Sequence, residues 1–323
     1  MKAKSPQIRS RKKVIRRSRK VSPKKLPAYS LKDKVAIVTG AGTGIGEATA
    51  HKFASLGAKV VCAGLPGDPL GDVVAAIRRR GHEAIAFEGD LSNLEISAAC
   101  VQFTIKNFGK LHILVNNAGI AISNTEHTEE VTEEIFMRTV RNNIFSVFYM
   151  TRAALPELKK TQGVLLATGS VAGLKGEPGD TVYGGTKGFV HSFMQGIAIE
   201  HAPHGIRVNC VCPGAIDTGL ARRGHSAMTK VDEKEMIEGI PMRRLGTPEE
   251  IANVFAFLAS DLATYVSGAL WPVDGAYTLG LGATEDVPSS VKRRPRGVLD
   301  AVLRHSIDGG YKKNNPEPRE KLA

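Results

Sequence analysis

Two stretches of the chain combine residue types and spacings that can do chemistry. The first is "YGGTK", residues 183 to 187. Tyr183 and Lys187 are i and i+4, so on a helix they share one face. A phenol titrates near 10 and is a poor acid or base at neutral pH. A neighbouring ammonium favours the phenolate, which predicts a lowered value for Tyr183. Such a tyrosine can give a proton to a carbonyl oxygen or take one from an alcohol. The bland alternative is a solvated helix pair.

The second stretch is "TGAGTGIG", residues 39 to 46, directly after the apolar run VAIV. Glycine permits a tight turn and close backbone approach, and a helix opening there offers free N–H groups to a phosphate. The loop has no lysine, which excludes a nucleoside-triphosphate cradle of the G-x-x-x-x-G-K-[ST] type. Gly40 and Gly42 begin a G-x-G-x-x-G fingerprint, but Ile45 stands where its last glycine belongs. The pattern that fits is T-G-x-x-x-G-x-G, carried by Thr39, Gly40, Gly44 and Gly46. A ligand-free glycine turn between a strand and a helix is the alternative.

The elements that must position these residues follow from the apolar pattern. Short runs recur at 34–39, 59–64, 83–90, 111–119, 163–170, 206–214 and 269–275, separated by helix-length segments. The runs are apolar without alternation, the mark of a parallel sheet covered on both faces. The expected fold class is therefore α/β: one doubly wound, Rossmann-like domain of about seven strands over residues 31–277. The segment after the fourth strand reads as a long helix reaching about Lys160. Residues 181–201 and 248–260 read as further helices.

The flanks differ. Residues 1 to 25 hold twelve Lys and Arg and no acid, leaving 32 basic and 32 acidic groups in the rest of the chain. The net charge of +12 thus belongs to a tail, and residues 1–30 read as a disordered basic arm. Residues 278–323 form a C-terminal extension with a basic linker. No apolar run approaches the roughly 20 residues of a membrane helix, and no secretory signal is visible. Four cysteines among 323 residues make no disulfide framework. A cytoplasmic protein is expected. Cys210 and Cys212 alternate on one strand face and read as core. No Cys/His set has zinc spacing, so no metal site is expected. His201 and His204 flank Pro203 and read as surface.

Further motifs stand in order at strand ends: "NNAG" at 116–119, "GS" at 169–170 and "PGAIDT" at 213–218. Together with the glycine loop and YGGTK they make the chain resemble the classical short-chain dehydrogenases/reductases from about Leu31 to Tyr277. The resemblance implies hydride transfer between a nicotinamide cofactor, NAD or NADP, and an alcohol or carbonyl substrate. It implies catalytic roles for Tyr183, for Lys187, for Ser170 13 residues before the tyrosine, and for Asn143. Ser170 would hold the substrate oxygen, or merely cap its turn. Asn143 would position a water for proton relay, with Asn142 as its rival. Lys187 would also hold the nicotinamide ribose.

For the cofactor the resemblance implies Gly40, Thr43, Gly44, Ile45 and Gly46 at the pyrophosphate, and Gly64 at the ribose. Asp90 and Leu91 would sit at the adenine, although Asp90 could instead cap the next helix, with Asn93 as rival. Asn117, Ala118 and Gly119 would lie beside the cofactor, or be simple turn formers. Pro213, Gly214, Ile216 and Thr218 would line the nicotinamide side.

The chain departs from the family in places. An acid at the end of the second strand selects NAD, and a basic residue accommodates the 2′-phosphate of NADP. Here the position is Gly64, followed by Leu65, and the first acid is Asp68, four residues late. The other basic position used for NADP is Thr43. The choice between NAD and NADP stays open on sequence. "VDGA" replaces the usual V-D-G-G. Three glycines in YGGTKG each cost about 1 kcal/mol in a helix, which suggests a close contact there, and the family's habit suggests a homo-oligomer, dimer or tetramer. Arg222, Arg223 and His225 lie in a lid that would shape the substrate pocket. Two other function classes compete: a non-catalytic dinucleotide-binding redox sensor, and a polyanion binder acting through the basic arm. The sensor would be expected to lack Tyr183, Lys187 or Ser170. The arm lacks interleaved aromatics, so nucleic acid is not an expected partner beyond non-specific contact.

Overall fold

The computed structural model describes residues 29–122, 127–177, 179–218 and 230–280. Residues 1–28 of the arm, the lid residues Arg222, Arg223 and His225, and the extension from 281 onward lie outside the described residues.

Seven parallel strands form one sheet, β1 Val35–Thr39, β2 Lys59–Gly64, β3 Ala84–Glu88, β4 Ile113–Asn116, β5 Val164–Thr168, β6 Arg207–Pro213 and β7 Leu270–Val273, in the order β3-β2-β1-β4-β5-β6-β7. The helices are α1 Gly44–Ser55, α2 Leu70–Arg79, α3 Leu94–Phe108, α4 Glu133–Val140, α5 Ser146–Thr161, α6 Thr181–His201, α7 Lys230–Gly239 and α8 Pro248–Ala259. The absence of alternation in the strands has a direct cause. Ala36 and Val38 of β1 pack with Phe53, Val73, Ile77 and Phe255 on the face covered by α1, α2 and α8. Ile37 packs with Val101, Met150, Leu158 and Met194 on the face covered by α3, α5 and α6. Both pleat directions are buried, so both must be apolar. Pro272 falls on β7, where an edge strand tolerates a missing N–H.

The strand order reverses between β1 and β4. Connections from these neighbours leave to opposite faces of the sheet, which opens a crevice at the carboxyl ends of the strands.

The long helix expected after β4 is present, with a π turn inside it. The described residues 117–122 and 127–132 are irregular apart from a 3₁₀ turn at Thr128–Glu130. Then α4, whose cap Thr132 accepts the N–H of Ile135 at 3.3 Å, the π turn at Arg141–Phe145 and α5 run without a break from Glu133 to Thr161. The extra residue of a π turn re-aims side chains, here Asn142 and Asn143. His201 is buried in the last turn of α6 rather than on the surface, while His204 is exposed. Gly184 makes the close contact expected of it: a Cβ there would stand 2.7 Å from the carbonyl oxygen of Ala172, whereas one on Gly185 would meet nothing within 4 Å.

The α1–α8 contact buries ionisable groups. Glu47, 2% exposed, is pushed up to about 8, first by burial and then by the carboxylate of Glu249. His51 is pushed down to about 4 by burial and then by Arg80. The signs differ. Glu47 titrates higher in the folded chain than in the unfolded one, so its contribution is complete below 4.5 and is lost as pH rises to about 8. His51 titrates lower when folded, so its contribution is regained between about 4 and 6.5. Of these two groups only Glu47 acts between 6.5 and 8, an effect of about 2 kcal/mol over that interval. The stability of the wild type relative to Glu47→Gln, both measured by urea unfolding, is expected to fall by about this amount over the interval. Parallel curves for the two proteins would rule out a protonated Glu47.

Candidate active site

The glycine loop folds as the switch point requires. Gly40 and Gly44 adopt φ of +61° and +57°, a region that L side chains rarely enter. A Cβ on Gly46 would stand 2.0 Å from the carbonyl oxygen of Gly40, so the first turn of α1 can approach the loop only because residue 46 is glycine. Thr43 is the N-cap of α1 but its side chain makes no capping bond, leaving the first-turn N–H groups open to an anion. Thr39 braces the loop: its hydroxyl accepts the N–H groups of Asn117 and Ala118, each at 2.9 Å. Asn117 donates to the carbonyl oxygen of Thr39 at 3.0 Å and accepts from the hydroxyl of Thr168 at 2.9 Å. It therefore ties β1, β4 and β5 together at their carboxyl ends, which is more than turn formation. This cradle fits a dinucleotide pyrophosphate.

A cavity of about 510 Å³ runs along the crevice. Its walls include Gly40, Thr43, Gly44 and Ile45 from the loop, Gly64 from β2, Asp90 and Leu91 after β3, and Asn117, Ala118 and Gly119 after β4. Ser170, Tyr183 and Lys187 line it further on, as do Pro213, Gly214, Ile216 and Thr218 after β6. Of the residues implied by sequence, Gly46 and Asn143 do not line it. Gly46 stands behind the loop. Asn143 is buried, with its amide oxygen accepting from Ile120 N–H at 2.8 Å and its amide nitrogen donating to Ile120 C=O at 2.9 Å and Thr186 Oγ1 at 3.0 Å. Asn142, its rival, does line the cavity, with its amide donating to the carbonyl oxygen of Arg138 at 2.9 Å. The capping question after β3 resolves in favour of Asn93, which accepts from Glu95 and Ile96 N–H at 2.9 and 3.0 Å. Asp90 holds a tighter turn, accepting Ser92 N–H at 2.9 Å.

The catalytic candidates converge. Ser170 Oγ accepts Ala172 N–H at 3.1 Å, so it caps its turn, and it also hydrogen-bonds Tyr183. Lys187 Nζ lies 5.6 Å from the centre of the Tyr183 ring and donates to the carbonyl oxygen of Thr168 at 2.9 Å. The expected lowering of Tyr183 is not what the chain alone produces. Burial pushes it up to about 12, the Ser170 hydrogen bond pulls the other way, and Asp180 and Glu177 push it further up. Burial lowers Lys187 to about 8. Burial thus favours the protonated phenol at Tyr183.

Asp68 is the functional candidate that sequence spacing misplaced. Leu65–Pro66–Gly67–Asp68 is a tight turn: Asp68 N–H donates to the carbonyl oxygen of Leu65 at 3.1 Å, and Gly67 has φ +93°. Proline followed by a positive-φ glycine is the signature of a type II turn. The turn doubles back, so that Asp68 Oδ2 accepts Leu65 N–H at 2.9 Å and would lie 2.6 Å from a Cβ on Gly64. A carboxylate therefore stands on the cavity wall at the end of β2 after all. The Pro-Gly pair was the available signal. In VDGA, Ala276 carries φ +70°, where the family's glycine would be unstrained, and its neighbour Tyr277 lines the far end of the cavity.

A family profile described as enoyl-(acyl carrier protein) reductase matches residues 40–278, well over half of the chain. The chain is a classical short-chain dehydrogenase/reductase. It is 38% identical to a cyclohexanol dehydrogenase of Acinetobacter sp. (strain SE19) over 255 residues, covering 79% of this chain and 98% of that protein. Among solved structures, a 3-ketoacyl-(acyl-carrier-protein) reductase from Brucella melitensis complexed with NADH superimposes with TM-score 0.71 at 36% identity, covering 77% of this chain and 100% of that one. A 7α-hydroxysteroid dehydrogenase complexed with NADH and 7-oxo glycochenodeoxycholic acid gives TM-score 0.72 at 35% identity, covering 76% and 95%. This short-chain dehydrogenase/reductase is accordingly an NAD(P)-dependent oxidoreductase acting on an alcohol or carbonyl group. No helix among the described residues is long and apolar enough to cross a membrane.

Proposed function

We propose that the chain is an NAD-preferring dehydrogenase/reductase in which Tyr183 is the general acid/base for the substrate oxygen. The observation that carries the proposal is the convergence of Tyr183, Ser170 and Lys187 on one wall of the cavity whose other end is the glycine loop. Bound NAD(H) would supply or accept the hydride. The open N–H groups of α1 would hold its pyrophosphate, and Asp68 would accept the hydroxyls of its adenosine ribose. Ser170 Oγ is shared between the Ala172 N–H and Tyr183, so it can hold a substrate oxygen at the phenol. Tyr183 donates its proton to that oxygen in reduction and takes it back in oxidation. Lys187, fixed by the carbonyl of Thr168, supplies a positive field on the cofactor side. Asn143 acts behind it by holding Ile120 at the cavity wall.

Beyond the catalytic group the cavity has an apolar side made by Ile120, Ala121, Val171, Met236, Ile240 and Tyr277, and a polar side that includes Asn142, Glu177 and Asp180; the apolar side suits a hydrocarbon-bearing alcohol or ketone. A homo-oligomer and a cytoplasmic location complete the proposal. Phe148 on α5 and Phe189 on α6 are exposed, and both contact Phe193, Phe189 by stacking at 5.4 Å. Such an aromatic patch across two helices suits a contact with a second copy.

The test is a panel of secondary alcohols and ketones with NAD(H) and NADP(H), followed at the nicotinamide absorbance. Turnover is expected with NAD(H) on apolar members of the panel. Silence throughout, with the dinucleotide still binding, would overturn the catalytic proposal.

A further inference from the structure

The fold assembles a group that no spacing in the sequence announces. Cys210 and Cys212 point to the same side of β6, as residues i and i+2 of a strand do. His191, eight residues beyond Tyr183 on α6, brings its ring to them. His191 Nε2 lies 3.3 Å from Cys212 Sγ, and the two sulfurs and this nitrogen are all within 4.8 Å of one another. All three residues are buried, His191 to 4% exposure. The expectation that the two cysteines are core alone is therefore incomplete.

The space for the imidazole is built by absences of side chain. A Cβ on Gly169 would stand 2.3 Å from His191 Nε2 and 2.8 Å from Cys210 Sγ. A Cβ on Gly173 would stand 2.7 Å from His191 Cε1. A polar ring is thus admitted beside the two thiols, in a layer that also holds the buried ammonium of Lys187. Its other nitrogen, Nδ1, is buried without a hydrogen-bond partner. Nε2 faces two partners, the backbone N–H of Ser170 at a long 3.3 Å and Cys212 Sγ at 3.3 Å. A buried imidazole with one nitrogen left unpartnered is costly unless a ligand rearranges its contacts.

We infer that His191 Nε2, Cys210 Sγ and Cys212 Sγ form a binding site for a thiophilic d¹⁰ metal ion of the zinc class. Two thiolates and one imidazole are the donor set such ions select over carboxylate and water. Ligand bonds of about 2.0–2.3 Å require the three donors to draw together by no more than about 1 Å. Each thiol releases its proton to solvent on binding. A divalent ion with two thiolates is neutral overall, which a buried site tolerates. The missing partner of Nδ1 weakens the site by roughly 10- to 100-fold against a fully supported one. The ion would take the nitrogen lone pair that now receives the Ser170 N–H. Since Ser170 is placed in the catalytic group by the proposal above, the site is expected to be inhibitory.

Titration of the reduced, chelator-treated protein with Cd²⁺, read by thiolate-to-metal charge-transfer absorbance, tests the inference independently of turnover. One ion per chain is expected, with the same signal in Cys62→Ser/Cys100→Ser and at least tenfold weaker binding in Cys210→Ser, in Cys212→Ser and in His191→Gln. No charge-transfer band in the wild type would overturn it, as would a band retained in a folded Cys210→Ser/Cys212→Ser chain or lost in Cys62→Ser/Cys100→Ser. Should the double variant of the pair not fold, the wild type and the single variants still decide. The inhibitory role is read separately, as loss of turnover in step with occupancy; full activity at full occupancy would overturn that role and leave the catalytic proposal standing.

Discussion

Replacing Tyr183 by Phe is expected to lower kcat by about 10³-fold while the dinucleotide binds within about twofold of wild type. General acid/base groups contribute about 10²–10⁴-fold, and the change removes only the hydroxyl. The ring remains at its place near Lys187, whose own anchor is the carbonyl oxygen of Thr168 and not the phenol. The cradle at the glycine loop is untouched. Steady-state rates in both directions, with a fluorescence titration of NADH, give the two readings. A kcat within tenfold of wild type would remove Tyr183 from the proton path. The buried setting predicts an asymmetry as well. With Tyr183 held up at about 12 by burial, against the pull of Ser170, the phenol is protonated at neutral pH and ready for carbonyl reduction. Alcohol oxidation needs the phenolate, so it is expected to gain more from rising pH than reduction does.

Asp68→Asn is expected to raise the ratio of kcat/KM for NADP over NAD by at least tenfold. Two effects add. The carboxylate at the end of β2 repels a 2′-phosphate, and its removal lifts that repulsion. It also accepts ribose hydroxyls through charge-assisted bonds, which weaken when the acceptor is a neutral amide. Burial already raises Asp68, the Leu65 N–H pulls it back, and Glu88 raises it again, so its charge is held in place chiefly by the turn. Asparagine keeps an oxygen for Leu65 N–H, so the turn survives the change and the readout is specificity, not folding. Kinetics with both cofactors give the ratio directly; an unchanged ratio would mean that Asp68 does not face the ribose.

The contrast between these two residues shows what was legible in the sequence. The seven strands could be read from apolar runs because both faces of every inner strand are covered, a condition that each run expresses within five or six residues. The glycine loop was legible for a similar reason. Gly40, Gly44 and Gly46 answer local demands of φ and close approach, and no other residue meets them. Tyr183 and Lys187 were readable as a pair because helix geometry alone puts i and i+4 on one face.

Contacts between elements were not legible in this way. Asp68 looked four residues too late until the Pro66–Gly67 turn folded it back beside Gly64. The π turn at Arg141–Phe145 decided that Asn143 braces Ile120 while Asn142 faces the cavity. The direction in which Tyr183 shifts depended on how deeply α6 buries it, which spacing cannot express. His191 meets Cys210 and Cys212 only because α6 packs on β6 over Gly169 and Gly173. The sequence by itself determined the local geometry, the periodicity and the cradle. The tertiary structure decided which side chains share a site and how they titrate, because burial and long-range packing set the field at each group.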